Sequence, residues 1–253
     1  MTLGVLCFAL LAFFLAAVAL PLMRWATKDD RSADLQAQAA IQRAAGGFLR
    51  LTARLGLVRV RVDGGERLEG SGPRLIVANH PTLLDVVVLL SLLPQADCIV
   101  SGARAAHPVL RGVTRAAGYI SNEAGPRAVA ESVDRIRAGR TVLVFPEGTR
   151  SPAGGLGPFQ RGAAHIALNS GVPLHPVLLT CNPPALTKEQ SWYHMPEGGI
   201  DLDVRVLEPL ATDALRGSGL PITIAARRLT AELREVFAKE SAAEGLGLRG
   251  EPI

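Results

Sequence analysis

Two short apolar runs that each end in a polar block constrain the fold of this chain more than any other feature. Residues 75–78 (LIVA) lead into residues 79–85 (NHPTLLD), and residues 141–144 (TVLV) lead into residues 145–150 (FPEGTR). Runs of this length are typical of buried strands, and longer amphipathic segments between them are typical of helices. Strand and helix alternate from residue 74 onward. This pattern predicts an α/β fold with a mainly parallel, mixed sheet flanked by helices.

The two polar blocks are predicted to meet in one cleft, because the carboxyl ends of parallel strands lie at the same edge of a sheet. His80 follows the first strand directly, and Asp85 falls in the first turn of the next predicted helix. A carboxylate that holds one imidazole nitrogen leaves the other able to take a proton from a hydroxyl. We interpret the pair as a general base and its orienting acid; the alternative is a turn histidine followed by an ordinary acidic residue at a helix start.

Together, Asn79-His80-x4-Asp85 and the FPEGTR block at 145–150 resemble the glycerolipid O-acyltransferase family, which includes 1-acylglycerol-3-phosphate and lysophospholipid acyltransferases. The resemblance implies transfer of a fatty acyl chain from a thioester to a hydroxyl, with His80 as base and Asp85 as its orienter. It also implies a site lined by the substrate-binding residues Asn79, Glu147, Gly148, Thr149 and Arg150, where Arg150 meets an anionic head group. No bound cofactor is implied; acyl-CoA or acyl carrier protein would bring the acyl chain as co-substrate.

The chain departs from the family pattern at residues 119–122, which are YISN where relatives usually have F-I-D-R. In phosphate-handling members the arginine of that block is thought to hold the phosphate of the acceptor, and here Asn122 replaces it. An asparagine carries no charge and cannot make the two-pronged contact of a guanidinium. Arg161, in a segment similar to the family's F-K-x-G block, is a second candidate for meeting an anion at a helix start; the alternative is a surface arginine.

The sequence is therefore compatible with several functions, both among O-acyltransferases and outside that class of enzyme. Lysophosphatidate is the default acceptor that the resemblance implies, whereas Asn122 favours a non-phosphate acceptor such as a lyso-ornithine lipid or a polyene-type lipid. A lipid-binding relative without catalysis is the alternative from another class, although both His80 and Asp85 are present. A nucleic-acid partner is not expected, because the net charge of +4 comes without a basic stripe interleaved with aromatic residues.

The residues that are missing also limit the chemistry. The sequence has no G-x-S-x-G motif and no cysteine beside either polar block, so a covalent acyl-enzyme has no evident nucleophile. Its histidines never occur at i, i+4 or in a tight cluster with cysteine, so we predict no metal site. Direct attack by the acceptor hydroxyl on the thioester is the mechanism that these absences favour.

The N-terminal region predicts attachment to a membrane. Residues 3–23 carry no charge, and about 20 helical residues are enough to cross the hydrocarbon core. We predict that residues 1–24 form a transmembrane anchor in the inner (cytoplasmic) membrane; a cleaved signal peptide is the alternative, given the small residues at 17–19. Positive charges follow the apolar run at Arg24, Lys28 and Arg31, which predicts that the catalytic domain lies on the cytoplasmic side.

Residues 25–57 are predicted to form an amphipathic interfacial helix between the anchor and an acyltransferase domain at 58–253. Apolar residues recur every three or four positions up to Leu51 and Leu55, whereas Gln38 and several arginines take the other faces. Such a helix can lie at the lipid interface or pack on the core of the domain, and both alternatives stay open at this point.

Overall fold

The computed structural model describes residues 30–69, 72–102, 110–123, 125–152, 155–190 and 196–245. Within these ranges no helix combines the length and the apolar character that crossing a membrane requires. The predicted anchor at 1–24 lies outside the described residues, and so does the start of the predicted helix at 25–57.

Seven strands form one sheet in the spatial order β1-β7-β6-β2-β5-β3-β4. Every neighbouring pair is parallel except β6 and β7, which are antiparallel. The predicted α/β fold with a mainly parallel, mixed sheet is therefore confirmed. The strands are β1 Val58–Asp63, β2 Arg74–Ala78, β3 Ala96–Val100, β4 Ile120–Ser121, β5 Thr141–Val144, β6 Leu174–Asn182 and β7 Ile200–Val206.

Helices cover both faces of the sheet, as parallel crossovers require. One apolar layer contains residues of α1 and α2, and the other contains residues of α4, α5 and α7. Because each central strand contributes alternate side chains to the two layers, β2 and β5 are buried on both faces. The helices are α1 Asp30–Arg54, α2 Asp85–Leu92, α3 Arg111–Ala116, α4 Gly125–Arg137, α5 Gly162–Ser170, α6 Asp213–Arg216 and α7 Ile222–Gly245, with a 3-10 turn at Gly65–Leu68.

One edge of the sheet collects the segments that carry the two polar blocks. The parallel strands β2, β5, β3, β4 and β6 all end at this edge, which we call the upper edge. Strand β7 runs the other way, so its first residue, Ile200, also lies there and pairs with Val58 at the start of β1. The last turns of α1, which lead directly into β1, therefore reach the same edge as the polar blocks.

Helix α1 packs one face on the domain and leaves part of its predicted apolar stripe in solvent. Ala37 and Phe48 are buried in the layer that α1 shares with α2. Leu51 and Leu55 belong to the predicted apolar stripe, for which packing on the core and contact with lipid were both open, and they are 44% and 49% exposed. Gln38 was expected on a polar outer face and is instead buried, because it has polar partners inside the fold.

A buried polar cluster lies beneath α1, with Asp97 of β3 at its centre. Asp97 is fully buried, and its Oδ1 atom accepts hydrogen bonds from Gln38 Nε2 at 3.0 Å, Arg135 Nη1 at 3.2 Å and Arg140 Nη2 at 2.5 Å. Gln38 also donates to the carbonyl of Ala117 at 2.9 Å. Burial raises the pKa of Asp97, while the two guanidinium groups act in the opposite direction. The cluster ties α1, β3, α4 and the start of β5 together.

Candidate active site

The structure brings the two polar blocks side by side. Strands β2 and β5 are hydrogen-bonded neighbours, with Val77 opposite Val144, so the segments 79–85 and 145–151 leave the sheet next to each other. The Ser151 N–H donates to the His80 carbonyl at 2.7 Å, which joins the segments directly. The first block therefore lies in contact with the second at the upper edge.

His80 and Asp85 form a buried hydrogen-bonded pair. The Nδ1 atom of His80 lies 2.8 Å from Asp85 Oδ2, and the His80 ring stacks on Phe145 with a centroid distance of 4.5 Å. An ionised Asp85 can only accept, so the shared proton belongs to Nδ1, and Nε2 keeps the lone pair that a base needs. This is the geometry of a general base with an orienting carboxylate.

Asp85 is held by its own turn as well as by the histidine. Its Oδ2 atom accepts a hydrogen bond from the Thr82 N–H at 2.7 Å, and Thr82 Oγ1 accepts one from the Leu84 N–H at 2.8 Å. This reciprocal arrangement resembles a capping box at the start of α2. Burial raises the pKa of Asp85, whereas the hydrogen bonds from His80 and Thr82 favour the ionised form and limit that rise.

Asn79 extends the pairing of β2 with β6 by one step beyond the strand. Its Nδ2 atom donates to the Leu179 carbonyl at 2.8 Å, and its Oδ1 atom accepts from the Leu179 N–H at 2.7 Å. The buried side-chain amide thus takes the place of a backbone peptide opposite β6. In this structure Asn79 fixes the turn that carries His80.

Glu147 is buried, and both of its carboxylate oxygens accept hydrogen bonds from other groups of the protein. Its Oε1 atom accepts from Ser151 Oγ at 2.6 Å and from the His80 N–H at 3.3 Å, and its Oε2 atom accepts from the Gly157 N–H at 2.7 Å. The side chain of Glu147 is buried. The structure therefore places this predicted substrate-binding residue as a link between three backbone segments.

The exposed part of the second block consists of Gly148 and Thr149. Gly148 has φ 68°, in the left-handed region that residues with a Cβ atom adopt at a cost, so glycine suits the tight turn. The Gln160 N–H donates to the Pro146 carbonyl at 2.7 Å, which brings the start of α5 beside this turn. Arg161 is exposed at that helix start, on the upper edge.

Arg150 contacts a neighbouring loop. Its Nη1 atom donates to the carbonyls of Leu186 at 2.8 Å and Thr187 at 2.7 Å. The Leu186 carbonyl also accepts from the Leu83 N–H at 3.2 Å, so one oxygen joins the first and second blocks. Leu186 holds this position with φ 53°, an uncommon conformation for a residue other than glycine.

Asn122 lies at the far end of the same edge. Its side chain is exposed, and its Oδ1 atom accepts a hydrogen bond from the Gly102 N–H at 3.3 Å. Strand β4 is three positions from β2 in the sheet order, a separation of roughly 14 Å at the usual strand spacing. A side chain as short as asparagine therefore stays well away from His80.

A cavity of about 500 Å³ opens beside the first block, between the end of β6, residues 151–152 and 155–156, and helix α7. Its wall is mostly apolar and includes Asn79, Pro81, Ser151, Leu179, Cys181 and Arg234. His80 does not line it. Within the residues that the structure describes, no group of three or more His, Cys, Asp or Glu side chains is arranged to hold a metal ion.

Two residues that hold the site were not among the predicted site residues. Thr82 orients Asp85, and Ser151 contacts both Glu147 and His80. Thr82 had a local signal, because a threonine three positions before an acidic residue is typical of a helix start. Ser151 had none, since its partner His80 is 71 positions away in the sequence.

Comparisons with known sequences identify related proteins. The model of the family described as Acyltransferase matches residues 59–180. The mouse 1-acyl-sn-glycerol-3-phosphate acyltransferase alpha is 26% identical over 204 residues, which cover 75% of this chain and 67% of the relative. The human alpha protein is 28% identical over the same shares of the two chains. A chloroplastic relative from Brassica napus, 1-acyl-sn-glycerol-3-phosphate acyltransferase BAT2, is 36% identical over 47% of this chain and 36% of its own.

A solved structure supports the fold over nearly the whole chain. The crystal structure of the 1-acyl-sn-glycerophosphate (LPA) acyltransferase PlsC from Thermotoga maritima superposes with a TM-score of 0.69 and covers 97% of each chain. Sequence identity to that protein is 24%. The matched segments span about two thirds of the length of the mammalian relatives.

Proposed function

The chain belongs to the glycerolipid O-acyltransferase family, and on that premise we propose that it transfers a fatty acyl chain from an acyl thioester to the hydroxyl of a lysophospholipid such as 1-acylglycerol-3-phosphate. The observation that carries the proposal is the 2.8 Å contact between His80 Nδ1 and Asp85 Oδ2, beside the loop of Glu147. The donor is acyl-CoA or acyl carrier protein, and assays with each of these two donors distinguish them.

The proposed reaction needs one base and no covalent intermediate on the protein. His80 Nε2 takes the proton of the acceptor hydroxyl while the oxygen attacks the thioester carbonyl. The tetrahedral intermediate then expels the thiolate, and the imidazolium returns the proton to sulfur, so the ester and the free thiol are the products. Cys181 is a poor nucleophile for a competing route, because burial raises the pKa of its thiol to about 11.

The acceptor head group is proposed to meet the exposed residues of the upper edge. Gly148 and Thr149 are exposed there, and Arg161, also exposed, stands at a helix start where backbone N–H groups favour an anion. Asn122 is the observation that favours a second candidate acceptor without a phosphate, such as a lyso-ornithine lipid or a polyene-type lipid. A neutral side chain at this position gives up the charge-assisted contact that an arginine would make with phosphate.

An acceptor screen tests the proposed function. Purified protein is given a labelled acyl thioester, on coenzyme A or on acyl carrier protein, together with lysophosphatidate or a lyso-aminolipid, and ester formation is measured. We expect turnover of lysophosphatidate with a high KM, because Asn122 contributes no charge. Failure to acylate lysophosphatidate with either donor would exclude the default acceptor, and failure with every acceptor would leave the lipid-binding alternative.

The Asn122→Arg variant should lower the KM for lysophosphatidate by about tenfold and leave kcat nearly unchanged. A charge-assisted hydrogen bond contributes about 1.5–3 kcal/mol, which is enough for a change of this size. Asn122→Gln is the matched control, because it lengthens the side chain without adding charge. The same KM for lysophosphatidate in all three proteins would show that position 122 does not meet the acceptor phosphate.

We further propose that residues 1–24 anchor the protein in the inner (cytoplasmic) membrane, with the catalytic domain on the cytoplasmic side. The exposed end of α1 supports a lipid-facing upper edge. Leu51 and Leu55 lie one helical turn apart, and Arg50 and Arg54 are exposed beside them, a combination that suits the surface of an anionic bilayer. A membrane at this edge would bring a lipid-borne acceptor towards His80.

A tryptophan placed at position 55 should report this contact. In anionic liposomes, the Leu55→Trp protein is expected to show blue-shifted emission that brominated lipids quench, above the background of the native tryptophans. Glu232→Trp, at an exposed position of α7, is the control and should give no quenching above that background. Equal quenching of the two variants would contradict a membrane contact at the end of α1.

A further inference from the structure

The peptide groups on both sides of the His80 Cα atom are bound by Glu147 of the second polar block and by Ser151, the residue that follows this block. The His80 N–H faces Ser151 Oγ at 3.2 Å and Glu147 Oε1 at 3.3 Å, and the His80 carbonyl accepts from the Ser151 N–H at 2.7 Å. Ser151 Oγ also donates to Glu147 Oε1 at 2.6 Å. We propose that Ser151 and Glu147 are positioning residues that fix the backbone of the base, and that Glu147 does not contact the substrate.

Burial is the first argument against direct contact between Glu147 and a substrate. Glu147 is 6% exposed and is not among the residues that line the cavity beside the first block, so little of its side chain is open to a ligand. Both Glu147 oxygens already accept hydrogen bonds, on one side from Ser151 and the His80 N–H and on the other from the Gly157 N–H. A head-group hydroxyl that bound Glu147 would have to displace donors that belong to the protein.

The second argument is that the hydrogen bonds of Ser151 and Glu147 to His80 complete the set of contacts that hold this turn. Asn79 is fixed to Leu179 of β6 on one side, and Asp85 holds the His80 ring from the start of α2. Neither of these contacts restrains the backbone of His80 against β5. Ser151 and Glu147 supply that restraint, so the position of Nε2 relative to the thioester depends on them.

The consequence is kinetic, and it rests on the proposed acyl transfer. A base displaced by a fraction of an ångström still lets the acceptor bind but takes its proton less efficiently. Positioning errors of this kind can cost up to about 100-fold in rate. A positioning role therefore predicts a loss in kcat, whereas a substrate contact that is equal in ground and transition states predicts a rise in KM.

The test compares Ser151→Ala and Glu147→Gln with the unchanged full-length protein. We expect each variant to lower kcat by about tenfold or more, with the acceptor KM within about twofold. Glu147→Gln is informative because its amide nitrogen must face an N–H donor, of either His80 or Gly157, whichever way it is turned. If the two residues act as one unit, the double variant should lose less than the product of the single losses.

Ser132→Ala is the matched control, because Ser132 is also a buried serine, with its Oγ bonded to the Ala128 carbonyl in α4. It removes a buried hydroxyl away from the upper edge and should leave kcat unchanged. An acceptor KM that rises tenfold in Glu147→Gln at constant kcat would overturn the proposal, because it indicates substrate contact. Full kcat in Ser151→Ala would overturn it as well.

A measurement without turnover separates this inference from the proposed function. Amide hydrogen exchange at His80 should become at least several times faster in Ser151→Ala, because the His80 N–H loses one of its two acceptors. The amide of Leu179, which is held by Asn79, should keep its rate. Unchanged exchange at His80 would contradict the restraint of its backbone by Ser151, even if the protein acylates no acceptor. Faster exchange in a protein that acylates no acceptor would support the restraint and contradict only the proposed reaction.

Discussion

Replacing His80 with alanine should reduce kcat by about 10²–10⁴-fold, the range that a general base typically contributes. The side chain is buried, stacked on Phe145 and held through Nδ1 by Asp85, and alanine removes the nitrogen that would take the acceptor proton. The acceptor KM should change far less than kcat, because the base acts mainly in the transition state. Initial rates with a labelled acyl thioester and a saturating acceptor measure the effect.

Two further variants test whether the loss of activity is specific to the His80–Asp85 pair. Asp85→Asn keeps the size of the side chain but removes the charge that favours Nε2 as the base, so its kcat should also fall strongly. His165→Ala removes a half-buried histidine of α5 and should keep full kcat. Retention of more than a tenth of the activity in His80→Ala would mean that another group takes the acceptor proton.

Replacing Asp97 with alanine should lower the free energy of unfolding by about 3–5 kcal/mol, the usual cost of removing one partner from a buried ion pair. The substitution removes the carboxylate that Arg140 and Arg135 share. Gln38 Nε2 loses its hydrogen bond to Asp97 and keeps the one to the Ala117 carbonyl. Because these groups join α1 to the sheet, the loss should include loosening of α1. Urea unfolding of the purified protein, followed by circular dichroism, measures the change.

Glu131→Gln provides the matched control for Asp97. Glu131 is an exposed partner of the same Arg135, one turn away on α4, with a distance of 3.0 Å between Glu131 Oε1 and Arg135 Nη2. An exposed i, i+4 pair contributes about 0.2–0.5 kcal/mol, so the control should lie close to the unchanged protein. A loss below about 1 kcal/mol in Asp97→Ala would show that the buried charges are close to neutral for stability.

Local patterns were sufficient to predict the architecture. The apolar run before His80 and the run before Phe145 are strands, as their length indicates, and the polar residues after them meet because both strands are parallel. The antiparallel direction of β7 and its pairing with β1 had no signal, since strand direction depends on the path of the loop before Ile200. The contact between His80 and Asp85 could be predicted because the two residues are only five positions apart.

The contacts of the remaining site residues could not be predicted from spacing. Glu147 and Arg150 were predicted to line the acceptor site, yet Glu147 accepts hydrogen bonds from Ser151 and from the His80 and Gly157 N–H groups, and Arg150 donates to the carbonyls of Leu186 and Thr187. The contacts with His80, Leu186 and Thr187 join segments that are far apart in the sequence, which a sequence pattern does not reveal. Gln38 shows the same limit, because its partner Asp97 is 59 positions away. The roles of Gly148, Thr149, Arg161 and Asn122 towards an acceptor stay predictions.

The conformation of Leu186 has a consequence for engineering the specificity of this enzyme. Its carbonyl accepts hydrogen bonds from the Leu83 N–H and from Arg150, so any redesign of position 150 that moves the loop also disturbs the turn beside the base. Libraries that randomise the two motifs independently should therefore yield few active combinations.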